Sequence, residues 1–171
     1  YETVTRYNEK NIPAHVFNLA ASMGSGASDK ELIELARRIT DRVPNIFAIK
    51  RIQILLLALS SEAGVRNSEQ ARSMAEQMYK LVQLPPNLEL LALTTASTGN
   101  FDLAAQQMQK AVTAEQQYKK SGNLKRMQDN LLLLQNEQLP GLNWQQEIAH
   151  MLPPPTNALA TFRDYPDANP I

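Results

Sequence analysis

The sequence of 171 residues contains no cysteine. This absence excludes a disulfide framework, a thiol nucleophile and a metal site with thiolate ligands. It is compatible with an oxidising compartment, such as the bacterial periplasm, but does not require one.

The chain also lacks an excess of charge of either sign. Its 17 lysines and arginines balance 17 aspartates and glutamates. Because proteins that bind nucleic acid usually carry a strong basic excess, we expect no nucleic-acid partner. Two local basic clusters occur, Arg37-Arg38-Arg42 and Lys119-Lys120 with Lys125-Arg126. We interpret both as solvated helix faces and helix-end charges.

Long hydrophobic runs are missing as well. The longest unbroken apolar run is Ile54 to Leu59, far short of the roughly 20 residues that a membrane-spanning helix needs. We therefore expect no direct membrane insertion by this segment. Because the chain begins at Tyr1 rather than at methionine, we expect a processed product or a fragment of a larger protein. These features favour a periplasmic or other extracytoplasmic location, with the cytoplasm as an open alternative.

Strand patterns are nearly absent, whereas helix signals recur along the chain. β-branched residues are scattered without sustained alternation. Ser28 and Glu31 form the pattern of a capping box, and Asn67 and Asn100 are typical N-cap residues. Helices are predicted at about 13–23, 28–43, 45–63, 67–84, 87–98, 101–120, 123–139 and 144–151, and residues 1–10 are interpreted as the end of an earlier helix. The pair Pro85-Pro86 is expected to end the helix before it. The second half of helix 45–63 is apolar nearly all round, so we expect its neighbours to bury it. We expect six to eight helices, joined as antiparallel pairs, to contain more than half of the residues.

The last part of the chain has a different composition. Residues 153–171 contain five prolines and little helical periodicity. We therefore divide the chain into a helical domain, 1–152, and a proline-rich irregular tail, 153–171. Leu159, Phe162 and Tyr165 are candidate anchors, and we expect them to hold the tail along a groove of the helical domain or over its last strong helix.

The segment from Leu88 to Val112 resembles a tetratricopeptide (TPR) repeat. Packing residues in its first helix follow the size order of that motif, which is large, large, small and medium. The turn supplies the expected glycine and aromatic residue, and the second helix supplies the expected small residue. These residues are Leu88, Leu91, Ala92, Thr95, Gly99, Phe101, Ala104, Met108 and Ala111. Ala104 falls where two helices cross closely. The closing proline of the motif is absent, with Gln116 near its place.

A second, weaker unit extends from Val16 to Pro44, and the pair between residues 45 and 82 fits only with an insertion near Gly64. The segment 123–139 resembles the solvent-facing helix that caps such arrays. The resemblance implies an all-α fold, in which antiparallel helix pairs stack as a short TPR-like α-solenoid and bind a partner on a concave surface. The groove residues that it implies are Phe17, Ala21, Glu89, Leu93, Ala96 and Ser97.

The sequence contains no pattern typical of a catalytic, cofactor-binding or metal site. His15 and His150 are far apart and lack paired ligand spacing, and Gly24-Ser25-Gly26 is only a fragment of a phosphate-binding loop. We therefore expect no enzyme and no cofactor, but a protein–protein interaction module within a larger bacterial protein, with a protein or peptide partner. The alternative is a sensory or regulatory ligand-binding domain attached to a membrane or DNA-binding segment. A buried polar pocket between the helices would support that alternative.

Overall fold

In the computed structural model, residues 11–117 and 122–152 are described, and they form eight α-helices and no strand. The helices are α1 (Ile12–Gly24), α2 (Asp29–Arg42), α3 (Phe47–Leu59), α4 (Ser68–Leu81), α5 (Pro85–Ser97), α6 (Phe101–Glu115), α7 (Leu124–Gln135) and α8 (Trp144–Met151). Together they contain more than half of the residues of the chain. The predicted all-α fold is thereby confirmed.

Local capping signals correctly predicted several helix starts. The Glu31 N–H donates to Ser28 Oγ at 3.3 Å, and the Ser28 N–H donates to Glu31 Oε2 at 2.9 Å. The Ser28 hydroxyl also donates to Glu31 Oε2 at 2.8 Å. The backbone and side-chain hydrogen bonds that Ser28 donates lower the pKa of the exposed Glu31 carboxyl. Asn67 and Asn100 each accept the backbone N–H three residues further on. These starts depend on neighbouring residues only, so they can be read from the sequence.

The predicted role of the Pro85-Pro86 pair was wrong. We expected it to end the preceding helix, but α4 already ends at Leu81, and Pro85 begins α5. Proline fits the first position of a helix because its missing N–H would have no intrahelical partner there. As a result, α5 begins two residues before the predicted start at Asn87.

Consecutive helices pack against one another from α1 to α7, and the most extensive contact joins α5 to α6. In addition, α3 contacts both α1 and α5 directly. The first helices of successive pairs are therefore adjacent, as in a solenoid-like stack. We call the side of the stack on which α1, α3, α5 and α7 lie its inner side.

The last helix does not extend the stack. Helix α8 packs against α1, and a Cβ atom added at Gly24 would lie 3.8 Å from Ile148 Cδ1. The chain thus returns after α7 and brings its last described helix next to its first. This return was not predicted from the sequence.

The hydrophobic core is continuous along the stack, and α3 lies at its centre. Eight of the 13 residues of α3 are buried, including Ile52, Leu56 and Leu57. The sequence predicted this burial from the second half of α3, which is apolar nearly all round.

The close contact predicted at Ala104 provides a test of packing. Ala104 on α6 is completely buried, so the longer side chain in Ala104→Leu has to displace its neighbours. We expect the free energy of unfolding to fall by about 1–3 kcal/mol, measured by urea denaturation. Gln106→Leu is the control, because it adds a leucine at an exposed position of the same helix. Equal midpoints for the two variants would contradict the predicted contact.

Several predictions lie outside the described residues. These are the helix end suggested before Asn11, the basic pair Lys119-Lys120, and the tail with its anchors Leu159, Phe162 and Tyr165. Among the helices that are described, none combines the length and the apolar character needed to cross a membrane.

Candidate functional site

A carboxylate lies at the centre of the inner side. Glu89 on α5 is 0% exposed. Arg126 on α7 donates to both of its oxygens, from Nε to Oε1 at 2.8 Å and from Nη2 to Oε2 at 2.6 Å. Asn130 Nδ2 donates to Oε1 at 3.1 Å. A buried charge is costly unless it is paired and hydrogen-bonded, and these donors meet that requirement for Glu89.

Arg51 on α3 joins this carboxylate to a second one on α8. Its Nη2 atom lies 3.5 Å from Glu89 Oε2. Arg51 also donates to both oxygens of Glu147, from Nε at 3.0 Å and from Nη2 at 3.2 Å, and Nη1 donates to the carbonyl oxygen of Pro86 at 3.2 Å. The paired bonds to Glu147 are the bidentate form in which arginine binds a carboxylate most strongly. The Arg51 side chain therefore ties α8 to the stack.

His150 completes the group on the same side of α8. Its Nε2 atom contacts Arg126 Nη1. Partial burial lowers the pKa of His150, and the charge of Arg126 lowers it further, against a smaller opposing effect of Glu147. A neutral imidazole can accept the Arg126 N–H, whereas a protonated one would repel it. We call Arg51, Glu89, Arg126, Glu147 and His150 the charge cluster.

The charge cluster is balanced when His150 is neutral, with two guanidinium groups facing two carboxylates. Burial by itself raises the pKa of Glu89, but hydrogen bonds from Arg126 and the charge of Arg51 outweigh burial and lower the pKa. Burial acts in the opposite direction on Arg51, where Glu147 and Glu89 outweigh it and raise the pKa. Mutual pairing therefore keeps these groups ionised at neutral pH.

A cavity of about 40 Å³ lies beside the charge cluster. Residues of α3, α5 and α7 and the segment 140–147 line it, among them Arg51, Glu89, Leu93 and Asn130. Sites for small organic ligands typically measure about 300–1,000 Å³, whereas a single water needs only about 10–15 Å³. The cavity is thus suited to ordered water and too small for a metabolite.

The structure separates the six residues predicted to line a groove. Glu89 and Leu93 line the cavity, and Ala96 is also buried. Phe17 and Ser97 are half-buried, and Ala21 is exposed on α1. The expectation of an open groove at Glu89 and Leu93 has to be corrected, because the segment leading into α8 covers them. Partner binding by any of the six residues stays a prediction.

The interpretation of Arg126 as a solvated basic residue was wrong. It is 8% exposed and bound to Glu89, whereas its neighbour Lys125 is exposed. The other basic cluster, Arg37-Arg38-Arg42, is exposed as predicted. One signal in the sequence pointed to a buried partner for Arg126: Glu89 is the only charged residue of helix α5.

The pKa of His150 leads to a prediction about acid stability. Because its pKa in the folded chain lies below the ordinary value of 6.5, the unfolded chain binds more protons as the pH falls below that value. The free energy of unfolding should therefore decrease between about pH 7.5 and pH 5.5, and Trp144 should become more exposed as α8 loosens. In His150→Gln the decrease should be smaller, since glutamine accepts a hydrogen bond without titrating.

Urea denaturation at several pH values measures this effect, with Trp144 emission as a second signal. Trp144 is the only tryptophan of the chain. An identical pH dependence in the native chain and in His150→Gln would contradict the role given to His150. Glu89 acts in a lower pH window: its lowered pKa contributes stability above the ordinary carboxyl value of 4.5, and this is lost as the pH falls further.

Three other features of the described residues bear on chemistry. An open polar depression of about 370 Å³ lies at the turn that joins α5 to α6, lined by residues 98–102 and Glu137. A groove of about 80 Å³ between α3 and α4 is lined mainly by apolar side chains, including the exposed Phe47 and Leu81. Within residues 11–117 and 122–152, no group of three or more histidine, aspartate or glutamate side chains is placed to hold a metal ion.

Comparison with protein-family models, with curated proteins and with solved structures gave no significant match.

Proposed function

We propose that this chain is a non-catalytic protein-interaction module, with TPR-like helix pairs, that binds a helical segment of a partner protein on its inner side. One observation supports the proposal above others: the inner side holds a short helix, α8, through a buried bidentate ion pair and apolar contacts. Grooves that bind amphipathic helices use the same combination of contacts.

The proposal includes two expectations from the sequence, that the module belongs to a larger bacterial protein and that it works in the periplasm or another extracytoplasmic space. Neither expectation is needed for the binding mechanism. The inner side offers two arginines with carboxylate partners, and apolar side chains around them.

The alternative, a sensory domain for a small ligand, requires a polar pocket with room for that ligand. The charge cluster is polar, and Glu89, Arg126 and Glu147 within it are buried, but its groups are paired with one another and the cavity beside it measures about 40 Å³. The open polar depression of about 370 Å³ at residues 98–102 has enough volume for a ligand, but it shares no lining residue with the charge cluster. The geometry of the charge cluster therefore agrees better with the protein-interaction proposal.

Affinity capture tests the proposal. The full chain is immobilised, and proteins retained from extracts of the source cells are identified by mass spectrometry, with a helical protein of similar net charge as the control bait. A retained protein is then purified and titrated against the chain by calorimetry. We expect saturable 1:1 binding. If no protein is retained above the control, or if none binds after purification, the proposal is overturned.

A further inference from the structure

We infer that α8 is an exchangeable internal ligand, and that the partner of this module is a short amphipathic helix with a carboxylate that replaces Glu147 on Arg51. This inference rests on the proposed function and specifies the chemistry of the partner. Three observations support it: the contacts of α8 follow the pattern of a bound helix, α8 is less buried than the other helices, and α8 covers the positive charge of Arg51.

The contacts of α8 follow the pattern of a helix bound in a groove. Trp144, Ile148 and Met151 recur at helical spacing and pack, half-buried, against the hydrophobic core. Glu147, 6% exposed, provides the buried polar anchor within the same face. Apolar anchors at positions i, i+4 and i+7 are the usual signature of helix-in-groove recognition. The sequence of α8 thus gives the pattern expected of a partner helix: apolar anchors at i, i+4 and i+7, and an acidic residue three positions after the first anchor.

Helix α8 is held more loosely than the helices of the stack. It has eight residues, and Glu147 is the only one of them that is buried. Isolated helices of this length are not stable in water, so α8 depends on its contacts with the stack. The fully buried core residues, by contrast, all belong to α1–α7 and the loops between them. Elements with few buried contacts open at lower free energy than the core, so α8 can leave while the stack stays folded.

The departure of α8 would leave a positive charge on the inner side. Within the charge cluster, Arg126 keeps its bidentate partner Glu89, and Arg51 keeps the longer contact of 3.5 Å with the same carboxylate. Two guanidinium groups then share one carboxylate. The uncovered face would be complementary to a helix that supplies a carboxylate to Arg51, because a neutral helix would leave this charge buried without a full partner.

A peptide competition experiment on the full chain tests the inference. The probe is a fluorescein-labelled peptide with the sequence of residues 143–152, and its matched control replaces the glutamate by glutamine. The chain is used in its native form and as Glu147→Gln, which weakens the internal ligand without removing a side chain. Because a tethered segment competes at high effective concentration, we expect the glutamate peptide to bind Glu147→Gln at least about tenfold more tightly than the native chain.

Three controls make the result specific. The glutamine peptide should bind Glu147→Gln at least about tenfold more weakly than the glutamate peptide does. Glu34→Gln changes an exposed carboxylate on α2 and should behave as the native chain. Ile148→Ser weakens an apolar anchor and leaves all charges in place, so it should also increase peptide binding. Circular dichroism verifies that each variant is folded. If Glu147→Gln is not folded, Ile148→Ser decides the outcome.

The fluorescence of Trp144 provides a second signal on the native chain. For this measurement the added peptide is unlabelled and carries phenylalanine in place of its own tryptophan, so that the tryptophan emission comes from the chain alone. Saturable movement of the Trp144 emission to longer wavelength as peptide is added is the expected result. Equal binding of the glutamate and glutamine peptides, or equal binding of the glutamate peptide to the native chain and to both weakened variants, would overturn the inference. A captured partner that binds these chains equally and is not displaced by the peptide would also overturn it, while leaving the proposed interaction function intact.

Discussion

Glu89→Ala is expected to lower the free energy of unfolding by about 3–5 kcal/mol, the typical effect of removing one partner of a buried ion pair. The substitution leaves Arg126 buried without a carboxylate and removes the partner that Arg51 shares. Equilibrium urea denaturation near neutral pH, followed by circular dichroism, measures the change. The large effect comes mainly from the uncompensated guanidinium group rather than from the lost side-chain volume.

Two controls separate this explanation from general damage to the fold. Asp129→Ala removes a carboxylate whose pair with Lys125 is largely exposed, so its effect should stay within about 1 kcal/mol. The double variant Glu89→Met with Arg126→Met removes both charges of the buried pair and leaves Arg51 paired with Glu147. It should be more stable than Glu89→Ala. A double variant that is less stable than Glu89→Ala would contradict the electrostatic explanation.

Leu56→Ala is the other substitution with a large expected effect. Leu56 is completely buried in α3, at the centre of the stack. We expect a loss of about 2–5 kcal/mol, because the transfer free energy of the removed atoms and a cavity term add together. The denaturation midpoint should fall while the slope with denaturant stays the same, since the folded surface is unchanged.

Leu132→Ala is the matched control for this substitution. Leu132 on α7 is 59% exposed, so the same truncation removes little buried area and should change the free energy of unfolding by less than about 0.5 kcal/mol. Similar losses for Leu56→Ala and Leu132→Ala would show that α3 does not lie at the centre of the core.

Sequence patterns predicted the helices well where neighbouring residues control them. The capping residues of α2, α4 and α6 were recognised, because each cap involves residues only three positions apart. The burial of α3 was recognised from its composition. Helix ends were less accurate: α3 ends at Leu59 and α6 at Glu115, both earlier than predicted. After α3, the Ser60 hydroxyl donates to Asp29 and accepts the Glu62 N–H, and the sequence did not predict this contact between distant residues.

The candidate site was recognised only in part. The resemblance to a TPR repeat assigned Glu89 and Leu93 to the inner side, and both line its cavity. It gave no reason to expect α8 there, and it could not pair Glu89 with Arg126. The solitary charge in α5 indicated that some partner was needed, but nothing in the local pattern identified which arginine it was.

The sequence by itself determined that the chain is helical, where most helices begin, and that the second half of α3 is buried, since these depend on periodicity and on contacts between near neighbours. The tertiary structure alone decided the charge cluster and the return of α8 onto the inner side. Arg126 meets Glu89 across 37 positions, and Arg51 meets Glu147 across 96. Such pairs depend on how the whole stack places its helices. A buried charge needs an opposite charge close to it in space, and the distance between the two residues along the chain does not matter.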